Sequence, residues 1–253
     1  MTATATPIRS KSGPQKKWDI DSPHFQIAAA RRMLYRNGLC SQVGGHVSLR
    51  VPGEKAFWVT PFQYFDETLP EHVMKVSFDL DVLEPGTLPA SPGINFHASV
   101  MMARPDVNCV IHLHSETISK FASARVPFDV YYVYGALFVD SVGEFVDDPS
   151  LTPDEEGTAI AGAIGPRKVG LMPHHGSVHT GSNLELTVAE TIVFSQACEH
   201  QLAAMQTGAK PMDRKSALSY KAAYERFGFR EQIWQANFRR LWKSDPDLIA
   251  TLA

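Results

Sequence analysis

Residues 104–114 read RPDVNCVIHLH, and residues 168–176 read KVGLMPHHG. In the first stretch the turn signal Arg104-Pro105-Asp106 opens a short apolar, β-branched run with no helical periodicity, which predicts a buried strand. His112 and His114 stand two apart at its C-terminal end. At the strand period of two, both side chains leave one face and can converge on one ion. The second stretch predicts another buried strand, ending in a histidine pair and a glycine, with His174, His175 and His179 in sequence. Two strand ends that each present imidazoles supply what a three-histidine divalent-metal site needs. Three ligands that leave coordination positions open are the catalytic kind. The competing reading is two separate sets of hydrogen-bonded histidines, and the second strand end weighs against it.

Working outward, HFQIAAARRMLYRNG (24–38) predicts a helix, with Ser22-Pro23 as cap and first position and Gly38 as its stop. GGHVSLRV (44–51), KAFWVTP (55–61) and VMKVSFDLD (73–81) predict strands, the last ending in a turn near Glu84-Pro85-Gly86. Helices are expected over 95–103, 115–124 and 152–165, the last with Asp154, Glu155 and Glu156 in its first turn. ELTVAETIVFSQACEHQLAAMQTG (185–208) predicts a long amphipathic helix. The alternation of strands and helices gives an α/β class. Residues 1–20, rich in Thr, Ala, Ser, Pro and Lys, predict a flexible tail. Residues 21–253 then form one domain with a helical, aromatic-striped extension from about 213.

Composition excludes several classes. A net charge of −3 gives no basic field to recruit nucleic acid. No apolar run approaches the roughly 20 residues of a membrane span, and the N-terminus lacks the apolar segment of a secretory signal. Three scattered cysteines, Cys40, Cys109 and Cys198, form no disulfide framework, so a reducing, cytoplasmic setting is expected. Phosphate-cradling GxxxxGK[ST] and GxGxxG motifs are absent, as is GxSxG, and no cysteine has an adjacent base. His24, His72 and His200 read as structural or solvated. Spacing leaves His97 open between a ligand, a partner that orients one, and a packed side chain.

The series GGHVSLR (44–50), VTP (59–61), FH (96–97), RPDVNCVIHLH (104–114) and PHHGSVHTG (173–181), followed by a long helix, resembles the class II aldolase/adducin family. The match spans roughly Phe25 to Gln206. It implies a three-layer α/β/α fold around a mostly antiparallel nine-stranded sheet, assembled as a homotetramer with sites at subunit interfaces. It also implies His112, His114 and His175 as ligands of one divalent ion (Zn, Mn or Fe), with His174 where many members carry Asn.

Three departures from the sugar-phosphate aldolases narrow the substrate. Their acid/base glutamate, four residues before the histidine that corresponds to His97, is here Gly93. Their phosphate-binding stretch resembles GTAGN, and here it is QVGGH (42–46). VTPFQYF (59–65) and Ser91-Pro92 replace small hydroxyl-bearing pairs by bulkier walls. A phosphorylated sugar is therefore not expected.

GHVS also resembles the branch that contains metal-dependent decarboxylases of aromatic acids and aldolase-like non-haem iron oxygenases. The leading expectation is a metal-dependent lyase. It would cleave a C–C bond next to a carbonyl or carboxylate, by aldol cleavage or decarboxylation, of a non-phosphorylated acid or keto substrate, aromatic ones included. The alternatives are an Fe(II)/O2-dependent oxygenase and a non-catalytic adducin-like interaction module. Gly45, His46 and Ser91 are the candidate substrate-binding residues, His46 acting as cation or donor. His46, Tyr131 and Tyr134 are the candidate catalytic ones. Arg50 and Arg125 could bind a carboxylate, and surface solvation competes for both.

Overall fold

The computed structural model describes residues 16–253. Its elements are α1 (Pro23–Arg36), β1 (His46–Arg50), β2 (Ala56–Val59), β3 (Met74–Ser77), β4 (Val82–Glu84), α2 (Asn95–Ala103), β5 (Cys109–Leu113) and α3 (Glu116–Ala124). There follow β6 (Val142–Glu144), α4 (Pro153–Ile164), β7 (Val169–Met172), β8 (Gly176–Gly181), α5 (Leu184–Gln206), α6 (Arg214–Arg226), α7 (Phe229–Ser244) and α8 (Pro246–Ile249). The strands form one sheet in the order β4-β3-β2-β1-β5-β8-β7-β6. Every neighbouring pair is antiparallel except β6–β7. Eight strands stand among the described residues where the resemblance implies nine.

The pleat of β5 shows how the layers arise. Cys109, Ile111 and Leu113 enter a core shared with α1, α3, α5 and α7, whereas Val110 enters a second core with α2 and α4. Helices therefore cover both faces of a mostly antiparallel sheet, a three-layer α/β/α arrangement.

Several elements differ from their sequence reading. GSVHTG (176–181), with little apolar content, forms β8 because it is sheltered between β5 and β7. A short strand, β4, stands where a turn was expected. Residues 185–208 do not make an amphipathic helix. Between Thr187 and Phe194 every residue of α5 is buried, because the sheet and the helices α1 and α7 enclose it. Residues 133–138, which include the candidate Tyr134, form a 3₁₀ turn.

Of the expected tail, residues 1–15 lie outside the described residues, but the part from Lys16 onward is docked. The amide of Trp18 donates to the Thr251 carbonyl (2.9 Å), that of Ala253 donates back to Trp18 (3.0 Å), and the Trp18 ring is buried. His24 is held between Trp18 and Trp58, its ring centre 4.4 Å from each. Among the described residues no helix is long and apolar enough to cross a membrane.

Candidate metal centre

The antiparallel pairing of β5 with β8 builds the centre. Leu113 stands opposite Ser177, so the residues after β5 and before β8 are neighbours at one end of the sheet. Gly176 makes the approach possible, since a Cβ there would lie 2.0 Å from the Leu113 carbonyl oxygen. His112 points to the α2 face of β5, and His114 lies one pleat further on. His175 sits in the β7–β8 turn, where His174 adopts φ +64°, a left-handed conformation that Asn and His tolerate better than most residues. Ring centres of His112, His114 and His175 are 4.6, 5.1 and 4.9 Å apart, and one ligand nitrogen from each lies within 4.8 Å of the others.

Hydrogen bonds fix which nitrogens are free. His112 Nδ1 is 3.0 Å from the Ser177 carbonyl, which only accepts, so Nδ1 carries the proton and Nε2 a lone pair. That Nε2 is 2.8 Å from Nε2 of His114. His175 turns Nδ1 to the Asp147 carboxylate at 2.7 Å, leaving its Nε2 for the shared space. Burial, reinforced by the neighbouring histidines, holds His112 well below the ordinary imidazole range and brings His114 down to about 4. Both are neutral at pH 7, the form that binds metal. The donor set thus fits a divalent ion, and the carboxylate behind His175 is the usual means of orienting a ligating imidazole.

Asp147 was not singled out in the sequence. Extending the parallel β6–β7 register, Glu144 opposite Leu171, brings residue 147 alongside residue 174. The pairing of β6 with β7 leaves no local signal for it.

His97 does not join the cluster. It is fully buried, with Nδ1 2.6 Å from Ser48 Oγ and Nε2 3.1 Å from His46 Nδ1, so both ring nitrogens are engaged. His46 stands directly opposite His112 across the β1–β5 pairing, their ring centres 5.1 Å apart. Burial, then the neighbouring His97 and Arg31, drives His46 well below its ordinary value. It is neutral, so of the two roles expected for it only that of a neutral donor or acceptor remains. His179 lies on the other sheet face, hydrogen-bonded to Ser177 Oγ (2.9 Å) and packed on Phe194.

Three loops border the cluster. The Ser41 hydroxyl accepts from the His114 amide at 2.7 Å. Tyr64 donates to Gln42 Oε1 at 2.8 Å, and Phe62 donates its amide to the Pro89 carbonyl at 3.1 Å. Gly45 packs against Phe65, whose ring reaches within 2.6 Å of where a Cβ would stand. Ser91 is buried and its hydroxyl has no partner. Gly93 has φ +80°, with the place of its missing Cβ 3.6 Å from His46 Cε1.

Within one chain Tyr134 packs against Tyr132, Tyr224 and Phe229, and Tyr131 is half-buried. Arg50 donates to the carbonyls of Met101, Arg104 and Val107 at the opposite end of the sheet. A cavity of about 680 Å³ lies at that same end, lined by Arg50, Trp58, Asn108 and Asn183. Arg125 pairs with Glu144 on the surface.

With this geometry in place, comparison with known proteins is decisive for the family. The family model described as "Class II Aldolase and Adducin N-terminal domain" matches residues 25–202. The chain belongs to this family. The meiotically up-regulated gene 14 protein of Schizosaccharomyces pombe is 27% identical over 192 residues, covering 74% of this chain and 73% of that protein. Mouse alpha-adducin is 25% identical over 195 residues, 74% of this chain but 26% of the adducin. In fold, an L-fuculose 1-phosphate aldolase from Glaciozyma antarctica superposes with a TM-score of 0.79 at 23% identity, over 88% of this chain and 90% of that one. The class II aldolase fold is generally that of metal-dependent lyases, and the adducin relatives leave a non-catalytic role open beside it.

Proposed function

We propose that the chain is a divalent-metal-dependent carbon–carbon lyase, with His112, His114 and His175 holding the ion. The observation that carries this reading is the convergence of three imidazoles, two with the Nδ1 side already committed, on one open strand end. When bound, such an ion acts as a Lewis acid on a carbonyl or carboxylate oxygen.

The surrounding residues support a reading of the substrate. The buried, unpartnered Ser91 hydroxyl is the polar group left for the substrate, whereas Gly45 gives its side-chain space to Phe65 and not to a ligand. His46, oriented by His97 and Ser48, offers a neutral imidazole beside His112. Phe62 and Tyr64, each more than two-fifths exposed, form an apolar wall suited to a non-phosphorylated and aromatic acid or keto compound. Tyr131 and Tyr134 act in this reading from a neighbouring chain of a cytoplasmic homotetramer.

Loaded with zinc or manganese, the protein should release CO2 or an aldehyde from a panel of keto and hydroxylated aromatic acids, without consuming oxygen. Oxygen uptake coupled to substrate loss by the iron-loaded protein would replace the lyase by an oxygenase. The glycine at position 93 favours that second reading, because oxygen activation does not need the acid/base that the glycine displaces. Neither product release nor oxygen uptake with any of the three metals would leave an adducin-like interaction module.

A further inference from the structure

The proposed centre has neutral histidines, yet a full cation is buried behind it. Arg31, on α1, is completely inaccessible. Its Nη1 donates to the Pro61 carbonyl (3.0 Å) and its Nη2 to the Gln63 carbonyl (2.5 Å), while Nε has no partner. No carboxylate pairs with it among the described residues. The adjacent Arg32, by contrast, is paired with Asp245 at 3.0 Å and Asp247 at 2.7 Å.

A buried guanidinium without a counter-ion is costly, and burial brings Arg31 down to about 9, still charged at pH 7. Its plane stacks on Phe65 at 4.2 Å, and Phe65 packs in turn against Gly45 beside His46. The charge is felt at His46 and at His72, where it opposes protonation.

We propose that Arg31 is a positioning and specificity-determining residue. Its uncompensated charge, acting through low-dielectric packing, commits the site to anionic substrates, and its two hydrogen bonds fix the Pro61–Gln63 wall. This rests on the reading of a carboxylate-bearing substrate given above and names the residue that selects the charge. The substrate carboxylate supplies the opposite charge from the far side of that packing.

The test compares pyruvate with its neutral amide, pyruvamide, binding to the zinc-loaded full chain by calorimetry, with thermal melting as the check on folding. Wild type should prefer pyruvate by about tenfold, the order that one buried charge contributes at an effective dielectric near 20. Arg31→Met should lose that preference, weakening pyruvate more than pyruvamide, and Arg31→Lys should restore most of it. A merely structural role would weaken both ligands alike.

Should Arg31→Met not fold, Arg31→Gln, which keeps a donor for the wall carbonyls without the charge, takes its place, and wild type in high salt adds a further check. A buried charge keeps its preference at about 1 M salt, where the screening length is roughly 3 Å. Loss of the preference there would assign it to surface charges and overturn the proposal. Preference retained in a folded Arg31→Met overturns this inference alone. A wild type that favours neither ligand overturns the carboxylate reading as well.

Discussion

Gly93, which the resemblance sets at the place of the aldolases' acid/base, has a backbone that disfavours restoring a side chain there. At φ +80° a side-chain-bearing residue costs roughly 1–2 kcal/mol. Gly93→Glu should therefore lower stability by about that amount in denaturant titration without conferring aldolase activity. At Asp147, the carboxylate that orients His175 is half-exposed, so its loss should spare the fold. Asp147→Asn should weaken zinc binding by about 10- to 100-fold in competition with a chelator, and unchanged affinity would remove Asp147 from the centre. The His-x-His spacing was legible because a strand's period of two puts both rings on one face. Asp147 and Arg31 were not. One depends on a β6–β7 pairing without local signature, and an arginine in an amphipathic helix reads as solvated until its burial is seen.

Among the elements, the β5–β8 pair carries the site, and its tolerance is narrow. Gly176→Ala would drive a methyl group into the Leu113 carbonyl and force the two strands apart. It should cost about 1–3 kcal/mol and weaken zinc affinity together with stability, in contrast to Asp147→Asn. A variant as stable and as metal-competent as wild type would show that the strand ends need no such approach. Helix α2 over 95–103 and the start of α4 were readable, because proline punctuation and first-turn acids are local signals; the capping box of Thr152 with Glu155 emerged with the structure. β8 and the enclosed α5 were not, since their burial comes from neighbours distant in sequence.

For the whole molecule, buried neutral imidazoles couple folding to pH. Burial lowers His179 to about 3 and holds His97 well below the ordinary range. The unfolded chain takes up protons below about pH 6.5, whereas the native state does not. The stability that these groups contribute is complete above that pH and is lost as pH falls towards 3. Unfolding free energies from urea titration should drop between pH 6.5 and 4, by on the order of 1 kcal/mol per pH unit for each such imidazole. His179→Gln should flatten that slope, and an unchanged slope would show that His179 takes up its proton in the folded state. The α/β class was legible in the alternation of strands and helices and the three-layer arrangement in the family resemblance, and the match to known class II aldolase folds agrees with both.

The most direct test of the metal centre is elemental analysis of the protein purified anaerobically without added metal, beside His112→Ala and His175→Ala. About one equivalent of zinc, manganese or iron per wild-type chain is expected, lost in both folded variants. Metal retained in the variants, or none bound by wild type even after reconstitution, would contradict a centre built on these three histidines.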